Sequence, residues 1–398
     1  MLSMVRNLWS SNPRLRRYLL QGLFLAAVFG VIAGSITNIY FNVVRQGMAY
    51  GWDFLWRATS WQLSVSIFSQ SLSDPYWWTI LMGVVNTLVL GLLCIAVATV
   101  IGSVIGLLRL SSNLVMRTAT TVYVDVIRNV PVILQIYFWY EVCRHAPIER
   151  QAISIGGTFF VSNRGFYFPA VEIAPGQGIY LLGAAILLAN LAWLAVRLRR
   201  LELLLIGVLA VIGYFVWQGS PVSLQVPAMQ GFSFRGGHRV AVEFLALFLA
   251  ITLYSSAYVA EIVRGGLLAV DKGQIEAARA LGLRPITVNW NVRLPLAMRS
   301  ALPPLSNQFL ITMKVTSLGA AIGYADFFSV VSTSITHAGQ TIELLLILMA
   351  GYLVINYAIA QIMQFINRRL AIKTNNPEQI SWLRRAIRQW RGQSKPAY

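Results

Sequence analysis

Apolar residues along this chain gather into eight runs long enough, or nearly so, to cross a bilayer, at about 18–44, 79–108, 118–142, 178–196, 201–218, 241–263, 301–322 and 343–367. The fifth is the shortest. Between the sixth and seventh lies a stretch of another character, "GQIEAARALGLRPITVNWNVRLP", Gly273 to Pro295, which has the alternation of a soluble helix. The segments 45–78, 143–177 and 219–240 are rich in aromatic, glycine and proline punctuation. The end, "PEQISWLRRAIRQWRGQ", sets Ile380, Leu383, Ile387 and Trp390 on one helical face and Arg384, Arg385, Arg388 and Arg391 elsewhere. That pattern predicts an amphipathic helix lying on an anionic membrane surface.

Composition agrees: of 398 residues, 57% are hydrophobic and only 12% charged, too apolar for a water-soluble fold. The net charge of +18 would suggest nucleic acid in a soluble chain. Here, however, 23 of the 32 Lys and Arg fall at the span ends and tails on one side, 7 on the other, and two, Arg128 and Lys314, inside spans. The positive-inside rule then puts both termini and Gly273–Pro295 in the cytosol, and excludes a nucleic-acid partner. Cys94 and Cys143 have no metal spacing, and His145, His238 and His337 are isolated in outward segments. The first run is too long for a signal-peptide core and reads as an uncleaved anchor. No phosphate-binding loop of the G-x-x-x-x-G-K-[ST] type occurs, and no converging nucleophiles or metal ligands suggest a membrane-embedded enzyme. No cofactor is expected on this chain, and if its work needs ATP, another subunit must bind it.

Within Gly273–Pro295 the local signals predict a helix, a turn and a second helix. Asp271 is placed to cap the first helix with Gln274 in the reciprocal position of a capping box, and Gly282 to end it in the left-handed conformation. Pro285 suits the first turn of the second, and Pro295 is expected to stop it before the next span. The first helix is expected to expose Ala277, Ala278 and Ala280 around Glu276, small side chains beside one charged anchor. The plainer reading is an amphipathic segment that only lies on the membrane.

"EAARALG" followed by "VRLP" resembles the cytoplasmic EAA loop of binding-protein-dependent ABC importer permeases. Glu276, Ala277, Ala278, Gly282, Leu294 and Pro295 match that pattern in register, and Val292 stands where it prefers Ile. "AYVAEIVRGGLLAVDKGQIEAARALG", "PPLSNQFLITMKVTSLGAAIG", "NTLVLG" and "YVDVIRNVPVILQIYFWY" are similar to the polar amino acid permeases, the histidine, glutamine and arginine importers, and above all to the larger permease subunit of general L-amino acid importers. The chain departs from them at Arg128-Asn129-Val130-Pro131, where members usually carry Arg-Gly-x-Pro. The resemblance implies an all-α polytopic membrane protein, a type I ABC importer transmembrane domain of about eight transmembrane helices. It divides the chain into an N-terminal anchor region, 1–78, and a permease core of 79–142 and 241–370 that holds the coupling loop at about 265–300. The remainder is an insert with two extra spans, 143–240, and a basic tail, 371–398. It further implies a second related permease in a heterodimer, a cytosolic ABC ATPase dimer that carries the ATP, a periplasmic amino acid binding protein, and a place in the bacterial inner membrane among its lipids.

Inside the spans, Arg128 sits about ten residues into the third, roughly 15 Å deep. Asp125, three residues earlier, is expected to neutralise it; Gln135 lies two turns on, and Pro131 is expected to leave the Ile127 carbonyl unpaired. Lys314 reaches similar depth in the seventh span, with Thr316 and Ser317 nearby and Asn307 two turns before it. Two midplane cations suit the carboxylate of a zwitterion and Asp125 its ammonium, so Asp125, Arg128, Gln135, Asn307, Lys314, Thr316 and Ser317 are candidates for a substrate path. The alternative is structural: an ion pair orienting the bundle, and a lysine bonded to carbonyls. Glu261 and Arg264 are expected to pair as a gate or as a brace for the loop. The same buried charges would also serve an ion-coupled secondary transporter, the rival function class.

Overall fold

In the computed structural model, residues 13–45, 51–65, 70–173 and 222–370 are described, with isolated positions between 187 and 214. Of the expected fourth span only positions 187, 190 and 191 are described, and of the fifth 202, 207–211, 213 and 214, all of them helical; the amphipathic tail lies entirely outside the described residues. Among the described residues, four helices are long and apolar enough to cross a membrane. They belong to helix α1, Pro13–Arg45, helix α2, Tyr76–Leu108, helix α5, Val242–Leu268, and helix α10, Thr341–Leu370.

The expected third span is two helices, α3, Leu114–Asn129, and α4, Val132–Arg144, broken at Val130-Pro131. Proline has no amide hydrogen and its ring crowds the preceding turn, so the helical ladder stops there. Asn113 caps α3 by accepting from the amides of Val115 and Met116. After α5 come two short helices, α6, Lys272–Ala280, and α7, Pro285–Val288, then α8, Leu294–Val315, a 3-10 stretch, Thr316–Ile322, and helix α9, Phe327–Ala338.

The chain divides into two compact units, one of residues 1–86 and 325–353, the other of 87–324 and 354–398. In the first, Phe54, Tyr76, Ile80, Phe327, Val330 and Leu344 form a buried core. The buried Asn86 amide donates to the carbonyls of Val65 and Ala325 at 2.9 and 2.8 Å, which pins the segment 51–65 to the helix break before α9.

In the second unit α5 is central. Its buried face runs through Ala246, Ala250, Ser255, Ser256, Val259 and Ala260, small residues that let neighbours approach. Helix α2 meets it through Gly102 and Gly106: a Cβ on either would lie 2.6 Å from the carbonyl oxygen of Ser256 or Ala260. On α8, Thr312 bonds Ser255 of α5 at 2.9 Å, a hydroxyl pair buried between helices.

Two turn-rich segments of this unit, 153–173 and 222–241, have regular structure. They hold eight short strands: β1, Ile153–Ile155, β2, Phe159–Ser162, β3, Gly165–Phe168, β4, Ala170–Ile173, β5, Val222–Gln225, β6, Ala228–Gln230, β7, Ser233–Arg235, and β8, His238–Ala241. An antiparallel sheet runs β1-β2-β3-β8, with Val161 opposite Phe166 and Gly165 opposite Ala241; β4 and β5 form a separate antiparallel pair from distant parts of the chain, and β6-β7 is a hairpin. Beside the sheet the buried Glu149 accepts a hydrogen bond from the Tyr167 hydroxyl and faces Arg164 at 3.5 Å. The spans described are helical as expected, and these connecting segments add short strands.

Candidate functional site

The helix pair between α5 and α8 forms as its sequence predicts at three points. The Asp271 carboxylate caps α6 by accepting from the Gly273 amide at 2.7 Å. Gly282 ends it with φ of 77°, a backbone angle that costs a side chain energy and glycine little. Pro285 opens α7 in its first turn. Pro295 departs from expectation. It opens α8 and does not stop α7, because a π-helical turn, Asn289–Arg293, carries the chain through without a break. Pro295 stands in the first turn of α8, where a missing amide and a fixed φ are tolerated.

Ala278 also departs: it is 6% exposed and faces inward, as does Ile275, which roots α6 on Leu267, Val270 and Ala297, whereas Glu276, Ala277 and Ala280 are exposed as expected. Val288 is the root of α7. Around these roots the pair shows apolar surface to its surroundings, with Leu281 80% and Ile286 67% exposed. Exposed apolar side chains grouped on one knob are the kind of surface by which interaction sites are marked.

Above the knob, charges converge that the sequence left apart. Arg109, one residue beyond α2, has a side chain 9% exposed; it bonds the Glu261 carboxylate of α5 and lies 3.9 Å from Asp125 of α3. Glu261 also accepts from Arg264 at 2.5 Å, the expected pair. Asp125 thus faces Arg109 and does not neutralise Arg128; its neighbour three residues on turns instead to Tyr258, with the guanidinium 5.0 Å from the ring centre. Arg109 went unread as a site residue because it stands at a span end, where cations are commonplace. The Asp and Glu that converge on it come from α3 and α5.

The break at Pro131 is not an unpaired stretch either. Gln135, 6% exposed, donates from Nε2 to the carbonyls of Ile127 and Val130, both at 2.9 Å. Asn307 and Lys314 are exposed along α8. Thr316 is buried with its hydroxyl on the Met313 carbonyl, and the Ser317 hydroxyl bonds the Lys314 carbonyl at 2.7 Å. Sequence reading missed the buried polar face beside them, where Ser255 meets Thr312 and Tyr123 bonds Ser256 at 2.8 Å. The i, i+4 spacing of Gln308, Thr312 and Thr316 was its signal.

The profile of binding-protein-dependent transport system inner membrane components matches residues 98–372, a range that contains the knob, the charge cluster and the broken helix. The chain belongs to that family. As a transport-system membrane component it is not itself an enzyme. The predominantly helical core, with four membrane-length helices among the described residues, fits such an inner membrane component. The chain is 38% identical over 91% of its length, and 96% of the relative's, to the putative amino-acid ABC transporter permease protein YhdX of Escherichia coli strain K12. It is 34% identical, over 91% of its length and 94% of the relative's, to the general L-amino acid transport system permease protein AapQ of Rhizobium johnstonii. The glutamate/glutamine/aspartate/asparagine transport system permease protein BztB of Rhodobacter capsulatus is 30% identical over 91% of this chain and 95% of its own.

Proposed function

We propose that this chain is a permease subunit of an ATP-driven importer of L-amino acids, working in the bacterial inner membrane with both termini in the cytosol. The three named relatives, each covered almost end to end, are permeases of amino-acid systems, which supports the substrate class. A second related permease, a cytosolic ATPase dimer and a periplasmic amino acid binding protein complete the assembly in this reading. ATP binds the ATPase, since no phosphate-binding loop occurs in this chain.

One observation carries the reading: a rooted helix pair whose outer surface is left uncovered. Ile275 fixes it to Leu267, Val270 and Ala297, Ala278 and Val288 are buried, and Leu281, Ile286 and Glu276 are left for a partner. Covering two such aliphatic side chains is worth about 1.5–3 kcal/mol each, enough to anchor a joint through which force passes. Closure of the ATPase on ATP would draw the knobs of two permeases together and bias the spans outward, and hydrolysis would reverse the bias. Arg128 and Lys314 are exposed on the single chain amid apolar helices, and they suit a cavity that receives the carboxylate of a zwitterion. Gln135 enters this reading as the support of that cavity's backbone, since its amide protons are used on carbonyls.

The test is Glu276→Lys in the complete assembly. Loss of the ATPase from the purified complex, with the permeases still inserted, is the expected result. Full retention of the ATPase would overturn the coupling role.

A further inference from the structure

Where α2, α5 and the π-helical turn before α8 come together, a groove of about 320 Å³ opens. Its walls are Leu107 and Leu110 at the end of α2, Leu267 at the end of α5, and Leu294, with Trp290 and Arg293 at its lip. Leu107 and Leu267 belong to the last turns of two membrane-length helices, so the groove lies where hydrocarbon gives way to headgroups. By the charge distribution this is the cytosolic face, an orientation taken from the proposed function.

The lip has the chemistry of an anion site. The Arg293 Nε is buried without a hydrogen-bond partner, and among the described residues Arg293 forms no ion pair. No carboxylate lines the groove. Trp290 is 65% exposed, an indole at headgroup depth, where its ring meets lipid and its N–H meets water. A leucine-lined trough ending in an unneutralised guanidinium is complementary to an acyl chain that ends in a phosphodiester.

We infer that this groove binds one anionic phospholipid of the inner leaflet, its phosphate on Arg293 and one acyl chain along Leu107, Leu110, Leu267 and Leu294. Because the π-helical turn leads directly from the coupling helices, lipid held there braces the joint between knob and span. A segment of the ATPase seated in the same trough is the competing occupant.

The probe is phosphatidylglycerol with a photoactivatable acyl chain, added to the full importer complex in phosphatidylcholine vesicles, with adducts mapped by mass spectrometry. Labelling is expected on the peptides that hold Leu107–Leu110 and Trp290–Leu294, competed by unlabelled phosphatidylglycerol and not by phosphatidylcholine. Arg293→Gln should cut it about tenfold, the scale of one lost charge-assisted hydrogen bond. Leu110→Trp, which fills the trough and keeps the guanidinium, should abolish it, and it carries the test where Arg293→Gln does not assemble. Equal competition by phosphatidylcholine, undiminished labelling in both variants, or labelling seen only when the ATPase is absent would overturn the inference. Maleimide labelling of Lys272→Cys from each side of the vesicle reports the orientation separately. Labelling of the knob from the binding-protein side would sink the proposed function, whatever the lipid result.

Discussion

The Gln135 side-chain nitrogen lies 2.9 Å from the carbonyl oxygen of Ile127, the acceptor in the third span that Pro131 deprives of its usual donor. A helix broken inside a membrane has to find donors for the carbonyls it frees, and here one glutamine serves two of them. The break is therefore a built feature with its own latch.

Gln135→Leu should destabilise the assembly by about 1–3 kcal/mol, the cost of stranding buried carbonyls. That exceeds the membrane average of about 0.6 kcal/mol for a single bond, because no backbone amide is free to replace the lost donor. The check is the thermal midpoint of the purified complex, expected to fall by several degrees with insertion unchanged. A midpoint equal to the parent's would show that the latch contributes nothing.

Arg109 and Glu261 should be strongly coupled, and Arg109 and Asp125 weakly. The first pair joins a side chain 9% exposed to one 29% exposed, whereas Asp125 is 60% exposed and 3.9 Å away. Double-mutant cycles on stability, with Gln or Asn replacements, should give about 1–2 kcal/mol for Arg109 with Glu261 and under about 0.5 kcal/mol for Arg109 with Asp125. Equal coupling energies in the two cycles would contradict the geometry.

Gly102→Leu should prevent α2 from seating on α5, since a Cβ alone would meet the Ser256 carbonyl and the Val259 side chain at 2.6 Å. The expected loss is about 1–3 kcal/mol or more, read as failure of the complex to survive purification. Gly22→Leu, in α1 with nothing within 4 Å, is the control and should purify normally. Survival of Gly102→Leu at parental yield would refute the close approach.

What the sequence made legible was local. The Asp271 cap, the Gly282 terminus, the Pro285 start and the Glu261–Arg264 pair are all settled within one or two helical turns, where spacing fixes geometry. Pairings between helices were hidden. Asp125 was assigned to Arg128 because they are three apart, yet its cation comes from α2, and Arg128 found an aromatic ring on α5. Ala278 was expected at the surface because alanine has no preference strong enough to tell root from outer face. Pro295 misled because a π-helical turn, with its unusual register, leaves no sign in residue types. The Gly102 and Gly106 spacing was readable as a contact face for another helix but shows no partner until the fold is known. The strands at 153–173 and 222–241 are each three or four residues long, too short for a period of two to stand out.

In the four-stranded sheet, Tyr167 should ionise late. Burial, and then its bond to the Glu149 carboxylate, push the phenol up to about 12 from its ordinary 10.0. A folded-state value above the unfolded one means stability present below pH 10 and lost as pH rises toward 12. The difference in tyrosinate absorbance between the parent and Tyr167→Phe should therefore appear near the upper end of that window. A difference signal centred at the ordinary value would mean that the hydroxyl is not held as described.

Arg128 should matter more to transport than to assembly. Its guanidinium rests on the Tyr258 ring at 5.0 Å, a contact worth up to about 2 kcal/mol when desolvated, and no carboxylate pairs with it among the described residues. The charge thus stays available to a passing anion, while the stacking sets its position. Arg128→Ala should lower amino acid uptake about tenfold or more and leave the complex intact. Arg128→Lys, which keeps the charge and loses the planar stack, should fall between. Tyr258→Leu should resemble the lysine variant, since it removes the platform and spares the cation. Uptake by Arg128→Ala at the parental rate would reduce the residue to a packing element, and collapse of the complex in all three variants would assign the pair to the scaffold of the bundle.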